Sequence, residues 1–450
     1  MSAAKQDADA AEPIPIDAES AALQTAFESP APRTLHDDGA TPFLSSLLSR
    51  HDVSGVSVAL ICPADAGGGG RVIQTVCAGQ ASRGCDAPMT PTTWLQYASL
   101  SKTVGTAFAL ETFATRGLLP TNKVNAVLEQ VGSTFRLRAA PGADPAWADG
   151  VTLAHLVNHT GLGMHYVNGV PPSAAGGMPS ALALLTGVHE QDYGYAPLLV
   201  TKAPGTKFGY SGGGFILLQL ILEELLGLPI DVAIAPFLIA CGAQSAAAGG
   251  MTLRCAPQLP RPCAQGYLDD GAMVRDGRLN FPPLAAGAHG SPAALAAFLY
   301  HLASAYRAEA GSGPIAHATA RAMLDGAQDL GCVDFMASRI GLGVFVARAG
   351  DNRLMLHQAA NDGFRGVFVV CFDGPDAEGG PVGFVLLCNG DNKGMFMNCE
   401  LCLALLRRLR LRGMDWAAVE GRTFDPAETS QEQIVNLGLK SLVFAAFGHQ

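Results

Sequence analysis

Apolar residues along this chain follow two rhythms, short β-like runs toward both ends and helical spacing through the middle. Residues 1 to about 38 are rich in Ala, Asp, Glu and Pro, show no sustained period, and read as a flexible leader. Phe43, Leu44, Leu47 and Leu48 share one side of a short helix expected over 42–50. Two strand-like runs follow, 56–62 and 72–78, separated by glycines 67–70, and predict an antiparallel hairpin. Residues 96–119 read as a helix apolar on nearly every face, which makes it a central buried helix. From about 120 to 330 the pattern is helical and loop-rich. Helices are expected over 153–158, 179–188, 216–226, 293–308 and 316–324, with one β-like piece near 266–279. Beyond Gly341 come short β-rich runs, 342–347, 353–357, 366–372 and 382–387, and then a final helix over 395–411. The pattern predicts an α/β sandwich: an antiparallel sheet built from both termini, flanked by helices, with a mostly helical insertion over about 120–330. The expected organisation is a leader over 1–38, one domain over 39–412, and a C-terminal extension over 413–450.

Composition narrows this. Of the 450 residues, 49% are hydrophobic and 15% charged, so a sizeable core can be buried. The net charge of −10 argues against a nucleic-acid partner. The densest basic run, Arg407 to Arg412, reads as a solvated helix face. Eleven cysteines is an odd number without a disulfide framework, and the Cys399–Cys402 pair lacks the second pair or the histidines a zinc site needs. Reduced structural thiols fit a reducing compartment. The N-terminus has no stretch of signal-peptide type, and no window approaches the ~18–20 apolar residues of a membrane span. The expectation is a cytoplasmic protein with no membrane span, and the sequence leaves room for a homo-oligomer.

Three segments carry candidate chemistry. In Tyr97-Ala98-Ser99-Leu100-Ser101-Lys102, the S-x-x-K spacing puts Ser99 and Lys102 on one helix face. A serine hydroxyl is a poor nucleophile until a base takes its proton, and a buried lysine with a lowered pKa can do so. An N-capping serine with a partly exposed lysine would give the same spacing. Ser101 is a second candidate nucleophile, but only Ser99 lies three residues from Lys102. In Pro204-Gly205-Thr206-Lys207-Phe208-Gly209-Tyr210, a turn leads to a tyrosine, which a nearby lysine could help to deprotonate; a structural tyrosine is the alternative. Gly212, Gly213 and Gly214 follow and allow close backbone approach. In His357-Gln358-Ala359-Ala360-Asn361, a histidine ends a strand-like run that could offer a backbone N–H to an oxyanion, a donor worth ~10²–10³ in rate. His155 and His159 have i, i+4 spacing but lack the glutamate of a zinc-protease helix, so packing is their expected job and no metal is implied.

In this order the segments resemble the serine β-lactamase and penicillin-binding-protein superfamily, with class C β-lactamases and their esterase and D-aminopeptidase relatives as the nearest group. YASLSKTVGTAFALETFATRGLL resembles its nucleophile helix, and VTLAHLVNHTGLG its T-L-x-x-L-L-x-H-T-S-G-L stretch. PGTKFGYSGGGFILLQLILEELLG resembles its P-G-x-x-F-x-Y-S-N segment, and HQAANDGFRGVFVV its H-x-G strand, where other members have K-T-G. The likeness runs from about residue 40 to 410.

The resemblance implies that Ser99 forms an acyl-enzyme and that Lys102 and Tyr210 shuttle protons. It places His357 at the K-T-G lysine, and makes the backbone N–H groups of Ser99 and Ala360 the oxyanion hole. Gly212 stands where β-lactamases have the substrate-binding asparagine of Y-x-N, and Ala359 replaces the glycine of H-x-G. His357 carries a weaker positive charge than lysine at neutral pH for a substrate carboxylate. These departures point toward an ester, amide or small-peptide substrate rather than efficient β-lactam hydrolysis, with no cofactor. Ala359, whose methyl would crowd the substrate strand, also leaves open a catalytically weak or silent scaffold. A penicillin-recognising protein that deacylates slowly is a third reading.

Overall fold

The structure is a computed structural model that describes residues 40–62, 72–175, 177–245, 247–261, 263–308, 313–332 and 338–418. The leader, and the extension beyond 418, lie outside the described residues.

Helix α1 (Ala40–His51) precedes the hairpin β1 (Gly55–Cys62) and β2 (Val72–Gly79). Short strand β3 (Leu95–Gln96) leads to the buried helix α2 (Ser101–Thr115). The middle of the chain is helical and loop-rich, with small strands β4 (Arg138–Ala139), β5 (Leu199–Val200), β6 (Met251–Thr252) and β7 (His289–Gly290), and helices α3 (Gly212–Leu226) and α4 (Pro292–Arg307). Then come β8 (Arg339–Ile340), β9 (Phe345–Ala349), β10 (Asn352–Asn361), β11 (Phe364–Asp373), β12 (Val382–Cys388) and helix α5 (Asn392–Leu409).

Seven strands form one antiparallel sheet in the order β2-β1-β12-β11-β10-β9-β8, so both ends of the domain share it. Side chains alternate across it. On β11, Phe368, Val370 and Phe372 face one apolar core and Val367, Val369 and Cys371 the other. Helix α4 packs on the first face, while α1 and α5 cover the second. Because both faces are buried, the strands read as continuous apolar runs rather than as alternating ones.

Two expectations change. The helix expected over 96–119 starts later. Leu95 and Gln96 pair with Gly290 and His289, Ala98 takes φ +44°, and Ala98–Leu100 form a 3-10 turn before α2 begins at Ser101. The β-like piece near 266–279 reduces to a bridge between Tyr267 and Met273, because positive φ at Gly271, Asp276 and Gly277 turns the chain repeatedly. The eleven cysteines are free thiols; Cys399 and Cys402 lie buried in α5, and burial pushes both thiols up. No described helix is long and apolar enough to cross a membrane.

Candidate active site

The 3-10 turn carrying Ser99 is wedged between β10 and a π-turn at Pro283–Gly287. Buried Tyr97 anchors it. Its amide donates to the Ala288 carbonyl (2.8 Å) and its hydroxyl to the Ser291 carbonyl (2.5 Å). Ser101 fastens the other side, accepting from the Ala288 amide at 3.0 Å and donating to the Ala98 carbonyl at 2.6 Å. Thus Ser101 is a latch within the turn. Left-handed backbone at Ala98, rare for a residue with a Cβ, bends the chain just before Ser99. Ser99 stays half-buried while Ala98, Leu100, Ser101 and Lys102 are enclosed.

Lys102 Nζ lies 3.3 Å from Ser99 Oγ and 2.6 Å from the Ala285 carbonyl oxygen. It also sits 4.9 Å from the centre of the Tyr210 ring and 5.5 Å from that of Phe215. The ammonium is 1% exposed, and burial lowers its pKa from 10.5 to about 7. A free amine can donate one N–H to Ala285 and turn its lone pair toward the Ser99 hydroxyl. The Ala285 carbonyl, 183 residues away in sequence, carried no sequence signal.

Tyr210 is enclosed and hydrogen-bonded to Ser99. A neighbouring lysine does not ease its deprotonation: burial dominates and raises the phenol's pKa well above its usual value, despite the Ser99 hydrogen bond. The group is a neutral phenol, able to donate and accept. His159 holds it. The imidazole stacks on the Tyr210 ring at 4.4 Å, its Nδ1 accepts from the Ser211 amide at 3.0 Å, and its carbonyl accepts from the Gly209 amide at 2.8 Å. Burial keeps His159 neutral. It lies just beyond the short helix Leu153–Val157, whereas His155 closes a capping box with Thr152. Among the described residues no group of three His, Cys, Asp or Glu could hold a metal ion.

Gly212 opens α3 under the 163–168 loop; a Cβ there would come within 2.5 Å of Val167, and one at Gly214 within 2.7 Å of the Leu156 carbonyl. A side chain at 212 would therefore force Val167 to shift. Ala360 lies in the last part of β10, past the Leu356–Phe345 pair that ends the β9 ladder, on the stretch beside the Ser99 turn. The Ala359 methyl is buried in the core opposite Gly366, so it fills space within the sheet rather than crowding an opening.

His357 is 1% exposed, with the Phe345 ring at 5.2 Å and the Tyr210 ring at 6.3 Å. Its Nδ1 is 2.7 Å from the Gln358 carbonyl, which can only accept, so Nδ1 carries the proton and Nε2 a lone pair. That Nε2 is buried without a hydrogen-bond partner among the described residues. Burial, aided by repulsion from Lys102, lowers its pKa to about 3. The weak positive charge expected here is therefore absent at neutral pH.

Residues 43–398 match the beta-lactamase family model. The chain belongs to the beta-lactamase family. No curated protein sequence matches this member of the family. Solved structures that share its fold include three with distinct names. One is the octameric penicillin-binding protein homologue from Pyrococcus abyssi, 20% identical, covering 81% of this chain and 76% of its own, with a TM-score of 0.57. Another is D-amino acid amidase from Ochrobactrum anthropi SV3, 17% identical over 86% of this chain and 98% of its own, with a TM-score of 0.59. The third is D-alanine carboxypeptidase AmpC from Burkholderia cenocepacia, 15% identical over 87% of this chain and 99% of its own, with a TM-score of 0.57.

Proposed function

We propose that this beta-lactamase-family protein is a serine hydrolase that forms an acyl-enzyme at Ser99 and cleaves an ester, amide or small-peptide bond. The observation that carries the reading is the buried amine of Lys102, 3.3 Å from the Ser99 hydroxyl and balanced between its protonation states near neutral pH. In the proposed reaction Lys102 takes the Ser99 proton as the oxygen attacks the substrate carbonyl carbon. The developing oxyanion is received by the backbone N–H groups of Ser99 and Ala360. Tyr210 gives its proton to the leaving group and is reprotonated from Lys102, a route suited to a phenol that burial keeps neutral. Water then attacks the acyl-enzyme carbonyl, with Lys102 and Tyr210 again accepting and returning the proton, and the acid product leaves. Amide and peptide bonds are candidates partly because fold neighbours are named D-amino acid amidase and D-alanine carboxypeptidase.

A fluorophosphonate probe tests this directly. Wild-type protein is expected to take up one label, and Ser99→Ala none. Folded wild type that stays unlabelled, or label that survives the substitution, would overturn the assignment and leave the scaffold reading in its place.

Neutral His357 also bears on the substrate. A substrate carboxylate would find no fixed cation at that position, forgoing a charge-assisted hydrogen bond worth ~1.5–3 kcal/mol. Tyr166, more than half exposed, has its ring 6.2 Å from that of Tyr210, and Met164, two residues earlier, is also exposed; both offer an apolar surface to an uncharged substituent. Neutral p-nitrophenyl esters are therefore expected to exceed nitrocefin, which bears a carboxylate, by roughly 10- to 100-fold in kcat/KM. His357→Lys should narrow that gap. Equal turnover of the two by wild type would sink the specificity argument.

A further inference from the structure

Several buried polar side chains outside the proposed chemistry meet at the end of β10. Asn361 is enclosed there, immediately after Ala360. Its Nδ2 donates to Gln96 Oε1 and to the Ala286 carbonyl, each at 3.0 Å. Gln96, equally buried, donates from Nε2 to the Leu279 carbonyl at 2.6 Å and to His289 Nε2 at 3.2 Å. Arg365, reaching back from β11, donates to the Asn361 carbonyl at 2.5 Å. Asn361 is thus fixed through both its side chain and its backbone. An amide buried this deeply costs stability unless it is hydrogen-bonded, and here both amide hydrogens are used.

Two parts of the proposed machinery meet at that side chain. One is the end of β10 with the Ala360 amide. The other is the π-turn Pro283–Gly287, in which Ala286, held by Asn361, follows Ala285, whose carbonyl holds Lys102 Nζ at 2.6 Å. The hairpin leaves little freedom at this end: Gly363 has φ +73°, and a Cβ there would come within 2.7 Å of Gly266 and Tyr267 backbone atoms.

We infer that Asn361 is a positioning residue that sets the Ala285 acceptor of Lys102 and the Ala360 amide at a fixed mutual distance, without touching a reacting atom. The inference rests on the hydrolase reading above. If it holds, loosening the π-turn lets water reach Lys102, relieves its desolvation and raises its pKa. The same loosening misplaces the amine relative to Ser99.

The test uses full-length Asn361→Ala and Asn361→Thr, the latter keeping a single O–H donor. Active sites are counted with fluorophosphonate, folding is checked by circular dichroism, and kcat and KM are followed on a neutral p-nitrophenyl ester across neutral pH. Asn361→Ala is expected to lose roughly 10- to 100-fold in kcat per labelled site with KM within about twofold. The acid limb of its pH profile should move up by about half a unit or more. Asn361→Thr should fall between this variant and wild type, and it carries the test should the alanine variant fail to fold. A purely structural asparagine would lower the folded fraction but leave the per-site kcat and the pH midpoint in place, and that result overturns the inference. An unlabelled, inactive wild type overturns the hydrolase reading and this role with it; a labelled wild type with an unmoved variant profile overturns the role of Asn361 alone.

Discussion

Lys102→Met is expected to abolish acylation while making the fold more stable at neutral pH. The loss of activity follows, on the proposed mechanism, from losing the proton acceptor 3.3 Å from Ser99, a role worth ~10²–10⁴ in rate. The gain in stability follows from the pKa of Lys102. An unfolded lysine binds its proton with a pKa of 10.5, and the buried one with a pKa of about 7. Between those values the unfolded chain holds more protons, so this group's contribution to stability improves as pH rises. Its burial penalty is fully present below the folded pKa and disappears only near the unfolded one. At pH 7 it amounts to about 4 kcal/mol, undiminished by solvent because Lys102 is 1% exposed. Methionine removes that penalty but leaves the Ala285 carbonyl without its donor, at a cost of ~1–3 kcal/mol. The net expectation is a variant about 1–3 kcal/mol more stable at neutral pH, with the advantage shrinking as pH climbs toward the unfolded pKa. Urea denaturation at neutral and alkaline pH measures both. A methionine variant less stable than wild type at neutral pH would show that Lys102 is not under a desolvation penalty. In wild type, fluorophosphonate labelling should speed up as pH rises through about 7 and then level off, since deprotonation creates the base.

Arg365→Met should cause the largest loss of stability. The guanidinium is 7% exposed, is paired with Asp391, and donates to the Asn361 and Phe364 carbonyls and to Asn392 Oδ1. Burial already raises the Asp391 pKa, and Arg365 offsets only part of that. Removing the arginine leaves a carboxylate in low dielectric without its cation, which costs ~3–5 kcal/mol. A carboxylate with a raised folded pKa is penalised where it is ionised, so the loss should be greatest at neutral and alkaline pH and smaller in acid. The double variant Arg365→Met/Asp391→Asn should recover much of the loss. Midpoints from urea unfolding decide it: an Arg365→Met midpoint equal to wild type would mean the pair contributes nothing.

Much of the fold was legible in the chain alone. Strands buried on both faces write themselves as unbroken apolar runs, as in β1, β11 and β12, and amphipathic or all-apolar helices announce themselves by spacing. The Ser99–Lys102 pair was equally visible, because three residues along a helical turn bring two side chains together whatever surrounds them. Beyond such local geometry, periodicity and spacing were silent; it was segment motifs and the family resemblance that pointed to Tyr210, His357 and Ala360. Helix α2 starts later than its apolar pattern because Ala98 is held at φ +44° by contacts from Tyr97 and Ser101 to the segment after the π-turn. Charge states too depend on remote packing. Tyr210 is a neutral phenol and His357 a neutral imidazole because of what packs around them. The Ala285 acceptor, the His159 ring beneath Tyr210 and the Asn361 bridge all join segments distant in the chain. Periodicity and spacing are short-range properties, so the sequence by itself determined the strands, the helices and the serine–lysine register. Desolvation and hydrogen-bond partners depend on which remote segments close over a group, and only the tertiary structure decided those.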